Sequence, residues 1–152
     1  MKTLEYMKVS FSAGLLCAVS IFGHENHEGL HHWEIPSKDP DRIILTFYGD
    51  PATQRAVTWR TDTSVKNAVA QIAKATVNSA FKEDSITLDA STEKFDLGRY
   101  KSNKSLVVHY HSVVYKGLKP DTLYAYRVGD GQRHWSEWIQ FRTAKKDYSP
   151  TK

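Results

Sequence analysis

The chain has 152 residues, 40% of them hydrophobic and 25% charged, which gives room for one globular domain and little else. Seventeen acidic residues are interleaved with twenty-one basic ones for a formal charge of +4, so no basic stripe points to a nucleic-acid partner. With Cys17 as its one cysteine, the chain cannot rely on a disulfide to hold its fold.

In chain order, Lys2 and Lys8 precede an apolar run from Val9 to Phe22, too short and too soon interrupted for a membrane span. With small residues at Ala18 and Ser20, residues 1–20 read as a secretory signal cut after Ser20; the alternative is a buried N-terminal helix. The signal reading implies a secreted or periplasmic protein, free of Cys17 and of the membrane once processed. Residues 21–41 form a His- and Glu-rich segment with Pro36 and Pro40, without apolar periodicity, and read as a linker or loosely docked arm.

From residue 42 to 144 the pattern becomes one of short alternating runs between turn residues. RIILTFY (42–48) places Ile43, Leu45 and Phe47 on one strand face, and GDPATQ makes a turn. RAVTWRT (55–61) pairs Val57 with Trp59 on a face, and AVAQIAKA (68–75) is a third strand. The polar stretch 76–103 carries SITLDA (85–90) and EKFDL (93–97) as short edge strands. LVVHYHSVVYKGL (106–118), LYAYRV (123–128) and EWIQFRT (137–143) complete the series, before a polar tail at 145–152. With turn signals every 8–12 residues or so, about seven strands of this kind predict an all-β sandwich.

Two groups of side chains invite a metal. His24, His27 and His31, with His32 beside them, stand at spacings that would share a helical face and could hold Zn²⁺, Cu²⁺ or Ni²⁺. Gly23 and Gly29 disfavour that helix, and a solvated linker has the same composition. His109 and His111 share a strand face and could chelate; the alternative is two polar positions on the solvent side, since no third ligand is visible. Trp135 and Trp138, with Tyr100 and Tyr115, could form an aromatic platform for a carbohydrate or protein ligand, or could pack in a core or interface.

The most specific stretch is GLKPDTLYAYRVG, 117–129, with Leu118, Pro120, Thr122, Tyr124, Tyr126 and Val128 at every second position. It resembles the approach to the sixth strand of fibronectin type III domains, an immunoglobulin-like β-sandwich. The resemblance implies that Tyr124 is a tyrosine-corner residue, Leu118 a core plug, Pro120 a turn residue and Trp59 a core tryptophan. Together, DRIILTFYGDPATQRAVTWRTD and HYHSVVYKGLKPDTLYAYRVGDGQRHWSEWIQFRTA are similar to the N-terminal domain of purple acid phosphatases, from about Trp33 to Ala144. In that family the sandwich precedes a metallophosphoesterase domain that hydrolyses phosphate monoesters with an iron(III) and a second divalent metal.

The resemblance implies metal ligands in separated blocks: GD-x-G, GD-x-x-Y, GNH followed by an acid, and later His motifs. Gly49-Asp50 is followed by Pro51 inside a sandwich turn, and Tyr48 precedes that pair instead of following it. Asn26-His27-Glu28 has Glu25 where the glycine belongs and precedes any Gly-Asp pair. No residue is therefore assigned a catalytic or cofactor-binding role; the dinuclear metal is expected only in a catalytic domain, which is the partner the resemblance implies.

Overall fold

The computed structural model of the chain describes residue 31 and residues 33–98 and 105–146. The signal segment, His24, His27, His32, Tyr100 and the end of the polar tail lie outside the described residues.

Strands β1 (Asp41–Thr46), β2 (Arg55–Thr61), β3 (Val69–Lys74), β4 (Ile86–Asp89), β5 (Ser91–Asp96), β6 (Val107–Tyr115), β7 (Leu123–Gly129) and β8 (Ile139–Arg142) follow one another. They build two antiparallel sheets in the orders β1-β2-β6-β5 and β4-β3-β7-β8, the all-β sandwich that the alternation predicts. The strands number eight, because both weak runs in the polar middle pair fully, and each takes an edge as expected. Ala90 alone separates β4 from β5, so the chain passes from one sheet to the other across one residue, with the Ala90 N–H donating to Ala68.

Between the sheets lies a core of Val57, Trp59, Ala70, Ile72, Val113, Tyr115, Tyr126 and Val128, drawn from the four central strands. β-branched and aromatic side chains at every second position explain both the strands and their burial, since each strand offers one face to the opposite sheet. Leu118 is 8% exposed and plugs this core, and the Tyr124 hydroxyl accepts the Lys119 N–H at 2.9 Å. Pro120 stands in the turn before β7, and its carbonyl accepts from the Thr122 hydroxyl.

β1 departs from the alternation at both ends. Asp41 faces Arg60 while Ile44 faces Thr58, so Arg42 and Ile43 together oppose Trp59 in a β-bulge. Arg42 adopts φ 49°, a conformation that costs a residue with a Cβ about 1–2 kcal/mol. Arg42→Gly is expected to raise stability by about 0.5 kcal/mol, less than the full relief because glycine also gains freedom in the unfolded chain. A urea midpoint shifted upward at constant slope would be the readout; a downward shift would mean that the side chain contributes more than the backbone loses.

At the other end, Ile43 and Leu45 point into the core but Phe47 does not: its ring is 75% exposed. Pairing with β2 ends at Thr46, and the chain enters the Gly49–Pro51 turn before the alternation can carry Phe47 inward. The Arg55 guanidinium instead lies 4.5 Å from the Phe47 ring centroid.

Candidate functional site

The pair His109 and His111 lies on the inner face of β6, not on the solvent side. Odd-numbered residues of β6 face the other sheet, as the burial of Val113 and Tyr115 shows, and His111 is 0% exposed against Trp59. Parity with Val113 and Tyr115 is the signal in the sequence that places both histidines inward.

His111 is held at both nitrogens. Its Nε2 lies 2.8 Å from the Thr61 hydroxyl and its Nδ1 2.8 Å from the Thr92 hydroxyl. Thr61 spends its single hydroxyl proton on the Asp62 carbonyl at 2.9 Å, so it can only accept from His111. The imidazole therefore carries its proton on Nε2, and Nδ1 accepts from Thr92. The His109 Nδ1 donates to the Val65 carbonyl at 2.8 Å, leaving only its Nε2 without a partner among these contacts. Three of the four ring nitrogens are occupied, so the pair is a polar clamp across β2, β5 and β6 and not a chelate.

Burial, with a smaller contribution from His109, lowers the His111 pKa to about 4. The folded state thus prefers the neutral ring, and the stability this contributes is complete above the ordinary value of about 6.5. It is lost as pH falls from there through 4, by about 3 kcal/mol in all. Urea unfolding at pH 7 and pH 4.5 is expected to show this slope in the native chain and a shallower one in His111→Gln. An equal slope in the variant would place the acid sensitivity elsewhere.

The aromatic platform is also rearranged. Tyr115 is 1% exposed and belongs to the core, where burial and then Tyr126 push its pKa up. Trp135 and Trp138 enclose Arg127, whose guanidinium carbon lies 4.1 Å and 5.0 Å from their ring centroids. The Arg127 Nε donates to Gln71 at 2.8 Å, and Gln71 in turn donates to Thr87, so the stack is fixed to β3 and β4. Phe81 meets Trp138 edge-on, over Ala73 and Ala125 on the outer face of the second sheet. Gly129 makes this return of the loop possible, since a Cβ there would collide with the His134 carbonyl and the Trp135 ring. Cation–π stacking across a half-buried sheet face explains why both tryptophans sit here: they fasten the β7–β8 loop.

The arm before β1 is fastened in its described part. The Asp62 N–H donates to Ser37, the Arg60 Nη1 donates to the Glu34 carbonyl at 3.1 Å, and the His134 Nδ1 lies 2.7 Å from Asp39. Of the four N-terminal histidines only His31 is described; its ring stacks on Trp33 at 4.2 Å. Among the described residues, no three or more His, Cys, Asp or Glu side chains come together as metal ligands. No helix among them is long and apolar enough to cross a membrane.

Residues 40–143, all eight strands, match the family described as "Purple acid Phosphatase, N-terminal domain". The chain belongs to this family. Its fold is shared with the yellow lupin (Lupinus luteus) seed purple acid phosphatase at TM-score 0.52 and 19% identity, over 71% of this chain and 20% of that one. It is shared too with the fn3 domain of human contactin 1, at TM-score 0.50 and 17% identity over 77% of this chain and 85% of that one. This purple acid phosphatase N-terminal domain thus spans about a fifth of the lupin enzyme's length. Among curated proteins no sequence match was found.

Proposed function

We propose that this chain is the non-catalytic sandwich of a secreted or periplasmic purple-acid-phosphatase-like protein, with a scaffolding or positioning role beside a metallophosphoesterase domain. The observation that carries the reading is the extent of the match: residues 40–143 correspond to the N-terminal domain of that family from first strand to last. The full blocks GD-x-G, GD-x-x-Y and GNH followed by an acid, which the resemblance requires for a dinuclear site, are not spelled in these 152 residues. The purified full chain, supplied with iron and zinc, is expected to leave p-nitrophenyl phosphate intact at acid pH. Turnover above the blank together with bound iron would overturn the reading.

A glycan- or protein-binding module is the competing function. It would use Trp135 and Trp138, but each already has Arg127 against its ring, which leaves less aromatic surface for a sugar. Metal handling by His24, His27, His31 and His32 would appear as calorimetric binding that is lost when residues 21–34 are deleted.

A further inference from the structure

We propose that the cavity between the arm, the β2–β3 loop and the β7–β8 loop binds an acidic sugar, its carboxylate held by Lys38 and Lys66 and its hydroxyls by Asn67, Gln132 and Asp130. This site goes beyond the function proposed above and does not depend on it. The cavity has a volume of about 350 Å³, at the small end for ligand pockets and room for a short saccharide. Three segments far apart in sequence build it at the end where β2 and β7 finish: Lys38 from the arm, residues 64–67 from one loop, and Asp130 and Gln132 from the other.

Its walls are fixed before any ligand arrives. The Asp62 N–H donates to the Ser37 carbonyl, and Asp62 Oδ1 accepts both the N–H and the hydroxyl of Ser64, at 2.8 and 2.5 Å. Val65 is buried beneath them, its carbonyl accepting from His109. On the facing loop, Asp130 Oδ1 accepts the Gln132 and His134 N–H groups at 2.8 and 3.0 Å, and the Trp135 indole N–H donates to the Gln132 carbonyl. His134 Nδ1 then reaches Asp39 and closes the arm against this loop. A site assembled in advance loses little affinity to the ordering of its loops.

The groups left over select the ligand. Among the described residues, Lys38 and Lys66 have no carboxylate partner, and the side-chain amides of Asn67 and Gln132 make no hydrogen bond. Against the raising effect of burial, the Gln132 and His134 N–H groups hold the Asp130 carboxyl below its ordinary value, so it lines the cavity as an ionised acceptor. The loop end as a whole is of mixed charge, with Arg133, Asp39 and Asp62 outside the lining, so selection rests on the cavity itself. Two ammonium groups favour an anion, but a phosphate dianion would also meet Asp130. A singly charged carboxylate on a ring of hydroxyls suits the set better, because Asp130 accepts and each amide both donates and accepts.

The test uses the full chain with trigalacturonate as probe. Calorimetry should show binding that is absent for maltotriose, a neutral trisaccharide, and that weakens about tenfold in Lys38→Gln and in Lys66→Gln. Both lysines are exposed, so neither exchange touches the core. Lys119→Gln, in the β6–β7 turn at the opposite end, should bind as the native chain does. Amide chemical-shift changes on the native chain should gather at residues 38, 64–67 and 130–132, a readout that needs no variant. Equal binding of maltotriose, or tighter binding of inorganic phosphate with the same shifts, would overturn the acidic sugar as ligand. Equal weakening by Lys119→Gln would reduce the effect to attraction by the net charge of +4 and overturn the site. Absence of binding, or shifts confined to the Trp135 and Trp138 face, would overturn it too, and each of these results leaves the proposed function standing.

Discussion

Replacing Trp59 by alanine is expected to lower the unfolding free energy by about 3–5 kcal/mol, a large share of what a domain of this size has. The indole is 0% exposed, stands opposite His111 across the β2–β6 ladder, and packs 5.3 Å from that ring. Its N–H finds no acceptor among the described residues, so burial and close contact, not a hydrogen bond, make the contribution. The cavity would open against Val57 and Val113, β-branched side chains on central strands with little freedom to collapse into it. A thermal melt should shift down by roughly 15 °C or more. Trp59→Phe keeps most of the volume and should cost less than half as much; equal losses would mean that the indole shape, not its bulk, is what the core requires.

Asp41→Ala should be comparably costly for an electrostatic reason. The Arg60 side chain is 1% exposed and forks onto Asp41, with Nε to Oδ1 at 2.7 Å and Nη2 to Oδ2. The Asp41 hydrogen bond raises the arginine pKa against the lowering effect of burial. With Asp41 removed that support is lost, but the ordinary arginine value lies so far above neutral pH that the guanidinium stays charged. A buried cation left with the Glu34 carbonyl as its one remaining acceptor among the described residues implies a loss of about 3 kcal/mol, at the low end for buried pairs because Asp41 is 36% exposed. The double variant Asp41→Leu, Arg60→Met removes both charges and should recover most of the loss. Failure to recover, measured in a double-mutant cycle by urea unfolding, would show that Arg60 holds the Glu34 segment in a way an apolar side chain cannot.

Strand positions were legible where alternation and β-branched composition coincide. RAVTWRT is β2 residue for residue, and LYAYRV lacks only Gly129 of β7. The short runs around Ala90 carry a weaker pattern because edge strands bury little; their burial is set by neighbours the sequence does not name. Phe47 shows the opposite failure: the pattern outlasts the pairing, and only the turn geometry ends the strand. His109 and His111 could have been placed inward by counting from Tyr115, but the threonines that accept and donate to His111 come from strands 50 and 19 residues away. The Trp135–Arg127–Trp138 stack was equally hidden, since it depends on a loop folding back over a face that local sequence marks as solvent.

The single-residue passage at Ala90 makes a largely exposed flank of the sandwich an unforgiving site for insertion. Val69 faces Asp89 in one sheet while Ser91 faces Ser112 in the other, so two ladders are pinned on either side of one alanine. Surface segments usually absorb an extra residue without harm. Here an added residue would have to bulge from the corner or slip a ladder by one position, which turns every side chain of that strand to the wrong face. A stretch that looks like loop by composition therefore sets the alignment of one sheet over the other.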